Sequence, residues 1–93
     1  MKRFMILHVG FERPDEETMA AWNKWFDLVR DRQVEQAGLM NGHEITSSGV
    51  QELPFDLEAL TGYNIVEAES MEEVLALAQK NPFVSSIRVY ELR

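Results

Sequence analysis

The chain has 93 residues, 45 % of them hydrophobic, and a formal net charge of −7 from 9 basic and 16 acidic side chains. That length suits a single domain over residues 1–93, and the apolar share suffices for a packed core. The basic residues are dispersed, which excludes the cationic footprint of nucleic-acid binding and disfavours an anionic membrane surface. Cysteine is absent, which excludes a disulfide framework, a thiolate metal site and a cysteine nucleophile.

The start, Met1-Lys2-Arg3, precedes an apolar run that ends at Gly10, too short for a secretion signal. No stretch approaches the ~20 apolar residues of a membrane span, and the chain reads as cytoplasmic. Residues 3–11 read as a first strand. Phe4, Ile6 and His8 share one face, and Met5, Leu7 and Val9 share the other, so the strand should be covered on both sides.

Pro14-Asp15-Glu16-Glu17 opens a helix, with proline at its start and acids at the positive end of its dipole. The periodicity predicts that this helix runs to about residue 36. Met19, Trp22, Phe26, Val29 and Gln33 form its stripe, with Trp22 and Phe26 the expected core aromatics and Trp25 the less certain one. Gly38 is a natural stop.

Asn41-Gly42 and Ser47-Ser48-Gly49 both carry turn chemistry. The second is preferred, because it leaves residues 39–46 as a full strand with a short return over 50–52. Residues 54–60 form a loop with room for one helical turn. Residues 62–68 read as a strand. Ser70 and Glu73 then form a capping box for a short helix with Met71, Val74, Leu75 and Ala78 on its core face, closed by Asn81-Pro82. Residues 84–92 form the last strand.

The order is strand, helix, strand, strand, helix, strand. Right-handed crossovers make this an α+β, ferredoxin-like fold: a four-stranded antiparallel sheet with two helices on one face. The other face, carrying Phe4 or Met5, Ile65 or Val66, and Val89, is too apolar to stay wet. Isologous pairing through it, a homodimer, is the simplest cover.

In this order the residues resemble the YCII-related family, in its branch that contains an Asp-Gly-Pro-Phe motif. The likeness runs through Lys2-Arg3-Phe4-Met5-Ile6-Leu7, Met19-Ala20-Ala21-Trp22 with Trp25-Phe26, and Gly38-Leu39. It continues through Leu60-Thr61-Gly62-Tyr63-Asn64-Ile65-Val66-Glu67-Ala68, Asn81-Pro82-Phe83 and Ile87-Arg88-Val89-Tyr90-Glu91-Leu92. The resemblance implies a dimeric α/β barrel. Two departures stand out. Glu52-Leu53-Pro54-Phe55 occupies the branch motif, keeping only its proline and phenylalanine. The family's enzymes carry a histidine in the first helix and an aspartate before the proline after the second; the matching positions are Trp25 and Asn81. Neither can do the acid–base work of a His–Asp pair.

His8, on an apolar strand face, has the neutral-range pKa of a general base or a ligand-orienting donor; the alternative is a hydrogen-bonded interior histidine. His43 neighbours Glu44, but adjacent strand residues point to opposite faces and cannot share an ion. It is a candidate ligand contact or a rim residue. No HxH or HxxxH spacing occurs, so neither a metal nor any other cofactor is expected. Asp15-Glu16-Glu17 and Glu72-Glu73 are explained as helix-start charges. Trp25, with Asn81 opposite, is a candidate lining of an apolar cleft between helix and sheet. The resulting expectation is a dimeric domain that binds a small apolar metabolite and lacks the family's His–Asp pair. The alternatives are a small lyase or isomerase with His8 as base, and an assembly module with no ligand.

Overall fold

The computed structural model describes residues 1–93. Strand β1 (Lys2–Val9) leads to helix α1 (Glu16–Val29) and a 3₁₀ turn over Arg30–Arg32. Strands β2 (Gln33–Gly38), β3 (His43–Thr46), β4 (Gly49–Glu52) and β5 (Leu60–Ala68) follow, then helix α2 (Met71–Ala78) and strand β6 (Ser86–Glu91). The main sheet has four strands in the order β2-β5-β1-β6, and all its pairings are antiparallel. With both helices on one face this is the ferredoxin-like α+β arrangement. Strands β3 and β4 form a separate two-stranded hairpin outside the sheet.

The core follows from the strand alternation. Phe4 and Ile6 of β1 lie opposite Val66 and Asn64 of β5, so these side chains share one face. Phe4, Ile6 and Val66 are fully buried beneath Trp25 and Val29 of α1 and Val74 of α2. Ile87 and Val89 of β6 pack against the same cluster. Val89 therefore belongs to the helix side and not, as the sequence suggested, to the open face. That open face carries Met5, Leu7, Tyr63, Ile65 and Tyr90, paired across the strands. The molecule is 18 Å through its shortest axis, one sheet and one layer of helices, so nothing covers these residues within the chain.

Three expectations about the first half of the chain need correction. The first helix ends at Val29, not near residue 36. Gln33 to Gly38 is instead the edge strand β2, with a register shift between Gln33 and Glu35. Its few β-branched residues give a weak strand signal, and pairing with β5 decides its conformation. Residues 39–46 are not one strand, because Asn41 turns the backbone at φ 54° and β3 begins at His43. The preferred turn at Ser47-Ser48 does close the hairpin, with Gly49 at φ 129°.

The helix faces are also rotated from expectation. Trp25 and Val29 are the buried residues of α1, whereas Trp22 and Phe26 are half-buried. In α2, Leu77 packs on the core and Leu75 stays 43 % exposed. Asp15 caps α1 by accepting the Thr18 backbone N–H at 2.7 Å, so Pro14 lies just before the cap. That bond holds the Asp15 carboxyl below the usual carboxylate range. In the capping box of α2, Ser70 Oγ accepts the Glu73 N–H at 3.3 Å, while Glu73 reaches back to the N–H of Glu69 rather than of Ser70.

Gly10 ends β1 at φ 106°, and a Cβ there would sit 2.3 Å from Ser85 Oγ. Only glycine fits this corner, where Gly10 and Phe11 donate to Ala59 O and Asp56 O and tie the strand end to the loop over 53–59. No helix is long and apolar enough to cross a membrane.

The assignment of the helix faces predicts the stability of two variants. Trp25→Ala should cost about 3–5 kcal/mol in urea unfolding, as removal of a large core aromatic does. Leu28→Ala, on the exposed face, should stay within about 0.5 kcal/mol of the parent. Similar losses in both would show that the buried stripe is misassigned.

Candidate functional site

His8 is the third residue of the row that begins with Phe4 and Ile6, so the strand alternation that builds the core also buries this ring, 7 % exposed. The indole of Trp22 meets it edge-on with ring centres 5.1 Å apart, and that of Trp25 at 5.7 Å. Gly62 lies directly opposite on β5, where its missing side chain leaves room beside the imidazole: a Cβ there would be 3.8 Å from His8 Cδ2.

A chain of amides holds the ring. The Asn64 amide nitrogen donates to Gln33 Oε1 at 2.7 Å and to Gln36 Oε1 at 3.3 Å. Both of its hydrogens are thereby used, and its Oδ1 faces His8 Nε2 at 2.6 Å. That oxygen accepts, so Nε2 carries the hydrogen and Nδ1 holds a free lone pair. Nδ1 is buried without a hydrogen-bond partner in the protein. Burial holds the His8 pKa below its ordinary value, and the Asn64 bond opposes that only in part. His8 is therefore a neutral imidazole of one tautomer at neutral pH.

The ring forms the floor of a cavity of about 370 Å³ between α1 and the sheet. Phe11, Met19, Trp22 and Phe26 supply apolar walls, and Asn64 and Gln36 supply polar ones. Trp22 and Phe26 stack in a tilted pair with centres 5.6 Å apart, which stiffens the helix wall. Such a space suits a small, mostly apolar ligand with one hydrogen-bonding edge.

The other sequence candidates lie elsewhere. Trp25 sits in the core, and its indole N–H donates to Leu77 O at 2.9 Å, which joins α1 to α2. Asn81 is buried after α2 with neither side-chain amide atom hydrogen-bonded, and it lies on the wall of neither large cavity. His43 is exposed, its Nδ1 3.0 Å from Asn41 O, beside a second cavity of about 520 Å³ that also touches Leu53, Phe55 and Leu60. His8 and His43 thus border different cavities. No three His, Asp or Glu side chains converge as metal ligands would.

Sequence reading passed over Asn64, Gln33 and Gln36. For Asn64 a signal existed: it shares the parity of Val66 and Ala68 in β5, and an asparagine on a core face needs partners. The two glutamines were hidden, because their segment reads as the end of a helix.

No protein-family model matches the chain, and no curated protein matches it. Among solved structures, the chain is similar to 5-chloro-2-hydroxyhydroquinone dehydrochlorinase (TftG) from Burkholderia phenoliruptrix AC1100, in complex with 2,5-dihydroxybenzoquinone. Identity is 17 %, the alignment covers 98 % of this chain and 93 % of that one, and the TM-score is 0.62. The likeness is one of fold: the α+β arrangement of a four-stranded antiparallel sheet with two helices.

The depressed His8 pKa has a signed consequence. As pH falls below the ordinary value of about 6.5, the unfolded chain binds this proton before the folded one does. His8 therefore leaves stability unchanged above that pH and reduces it below, down to the folded pKa. Urea midpoints measured between about pH 8 and 5 should fall more steeply in the parent than in His8→Gln. Parallel curves would show that His8 is not desolvated.

Proposed function

We propose that this protein is a YCII-related homodimeric domain that binds a small, mostly apolar ring compound in the cleft floored by His8. The carrying observation is the His8–Asn64–Gln33/Gln36 network beneath an aromatic wall. A buried polar chain of this kind costs free energy unless every member is satisfied, and the buried Nδ1 of His8 is the one member of this chain left without a partner. A cavity of about 370 Å³ holds one substituted ring. That the fold neighbour binds 2,5-dihydroxybenzoquinone supports a ring of this kind.

Trp25 and Asn81 occupy the positions of the family's acid–base pair without its chemistry. In this reading Trp25 acts on the ligand only by holding His8 edge-on. Asn81 and His43 are not part of the cleft.

A second reading has one observation in its favour: a neutral His8 with a free lone pair is the correct form of a general base. A lyase or isomerase step on a hydroxylated ring would use it to remove a proton.

Self-association through the open sheet face completes the proposal. Met5, Leu7, Tyr63, Ile65 and Tyr90 present an apolar patch flanked by the Arg3–Glu67 ion pair. A twofold axis through that patch would lay sheet on sheet.

Hydroxylated benzoquinones and hydroquinones should raise the melting temperature and quench tryptophan emission saturably. His8→Gln should weaken this binding about tenfold or more, roughly 1.4 kcal/mol. An unmoved melting temperature across mono- and dihydroxylated rings would overturn the binding reading. Turnover that survives His8→Gln would remove the base reading. Sedimentation should give twice the chain mass, and Leu7→Arg should halve it; a monomeric parent would overturn the dimer.

A further inference from the structure

Asn41, Gly42 and His43 join β2 to β3, and all three are exposed. Asn41 is the one non-glycine residue with positive φ, 54°. An asparagine amide carbon lies within a five-membered ring's reach of the next peptide nitrogen, and glycine, with no Cβ, leaves that nitrogen least hindered. The Gly42 N–H is not engaged in any hydrogen bond of the protein, so it is available to solvent base. The His43 ring sits with Nδ1 3.0 Å from the Asn41 carbonyl oxygen. A donor there draws charge onto that oxygen through the peptide resonance and makes the adjoining Gly42 N–H more acidic.

We propose that Asn41 is a self-modification site, converted to aspartate and isoaspartate through a succinimide with Gly42, and that His43 promotes the conversion. Solvent base removes the Gly42 N–H proton, and the nitrogen's electron pair attacks Asn41 Cγ. The Cγ–Nδ2 bond breaks, and Nδ2 takes up a proton and leaves as ammonia. Water then adds across one of the two imide C–N bonds. Opening at Cγ gives aspartate. Opening at the main-chain carbonyl gives isoaspartate, with the backbone rerouted through the side-chain methylene. Water is the only co-reactant and nothing is oxidised or reduced.

The other asparagines are built against this chemistry. Asn23 lies inside α1. Asn64 is buried in β5 with both amide hydrogens engaged and β-branched Ile65 after it. Asn81 precedes Pro82, which has no N–H to attack with.

Both products place a carboxylate at the edge of the cavity that Met40, Gly42, His43 and Leu53 border. Isoaspartate also lengthens the backbone just before Gly42, whose carbonyl accepts the Leu53 N–H at 2.8 Å at the open end of the hairpin. Conversion should therefore loosen β3 and β4 while leaving the four-stranded sheet intact.

The purified full chain, incubated at mildly alkaline pH, should be followed by peptide mass mapping with an isoaspartate-specific methyltransferase as second readout. Conversion is expected at Asn41 and at no other asparagine. It should slow several-fold in His43→Gln and nearly stop in Gly42→Ala, whose new Cβ meets only the Leu53 side chain, at 3.4 Å and beyond. An intact Asn41 after prolonged incubation, or equal conversion at Asn23, would overturn the site. A rate unchanged in His43→Gln would overturn the role of His43.

Discussion

Strand β1 is bonded along both edges, to β5 and to β6, and its side chains alternate between a helix-covered face and an open one. That alternation is the constraint on which the rest depends. It puts Phe4, Ile6 and His8 in one row, so the row that closes the core also delivers a histidine to the edge of it. The facing row of β5 changes character at the same level: Ala68 and Val66 are apolar, Asn64 is an amide and Gly62 is bare. The dry core and the polar floor are successive stretches of the same two strands.

A buried imidazole and a buried amide are tolerated only with partners. The edge strand β2 supplies them, which explains why a strand of low β-propensity sits there at all. Gln33 and Gln36 lie on either side of the register shift in β2, and the shift lets both reach Asn64. The 3₁₀ turn before β2 is held from the other side, where Arg32 bonds Glu73 at the start of α2. The Glu69 N–H and Arg32 together keep the Glu73 carboxyl below its ordinary pKa. The cap of the second helix and the partners of His8 thus meet at adjacent residues, Arg32 and Gln33, where the first helix gives way to the edge strand.

Helix α1 divides its aromatic residues between two tasks. Trp25 spends its N–H on Leu77 O and its ring on the core. Trp22 and Phe26, adjacent to each other on the helical wheel and on the same side of Trp25, form the wall of the cleft. Since Trp25 also touches His8, the rigidity of the core passes directly to the floor of the site.

The fold class and the apolar character of both faces of β1 were legible in the chain, because each rests on local alternation or on the spacing of apolar residues. Three features were not. The end of α1 and the identity of the edge strand depend on hydrogen bonds to β5, more than 25 residues away in sequence. The rotation that buries Trp25 and frees Trp22 depends on how α1 docks, since the stripe spacing tolerates either choice. The tautomer and pKa of His8 depend on Asn64, a partner 56 residues distant. Sequence alone determined which faces are apolar; only the tertiary structure decided which polar groups those faces bring together, because a buried polar group is defined by partners from elsewhere in the chain.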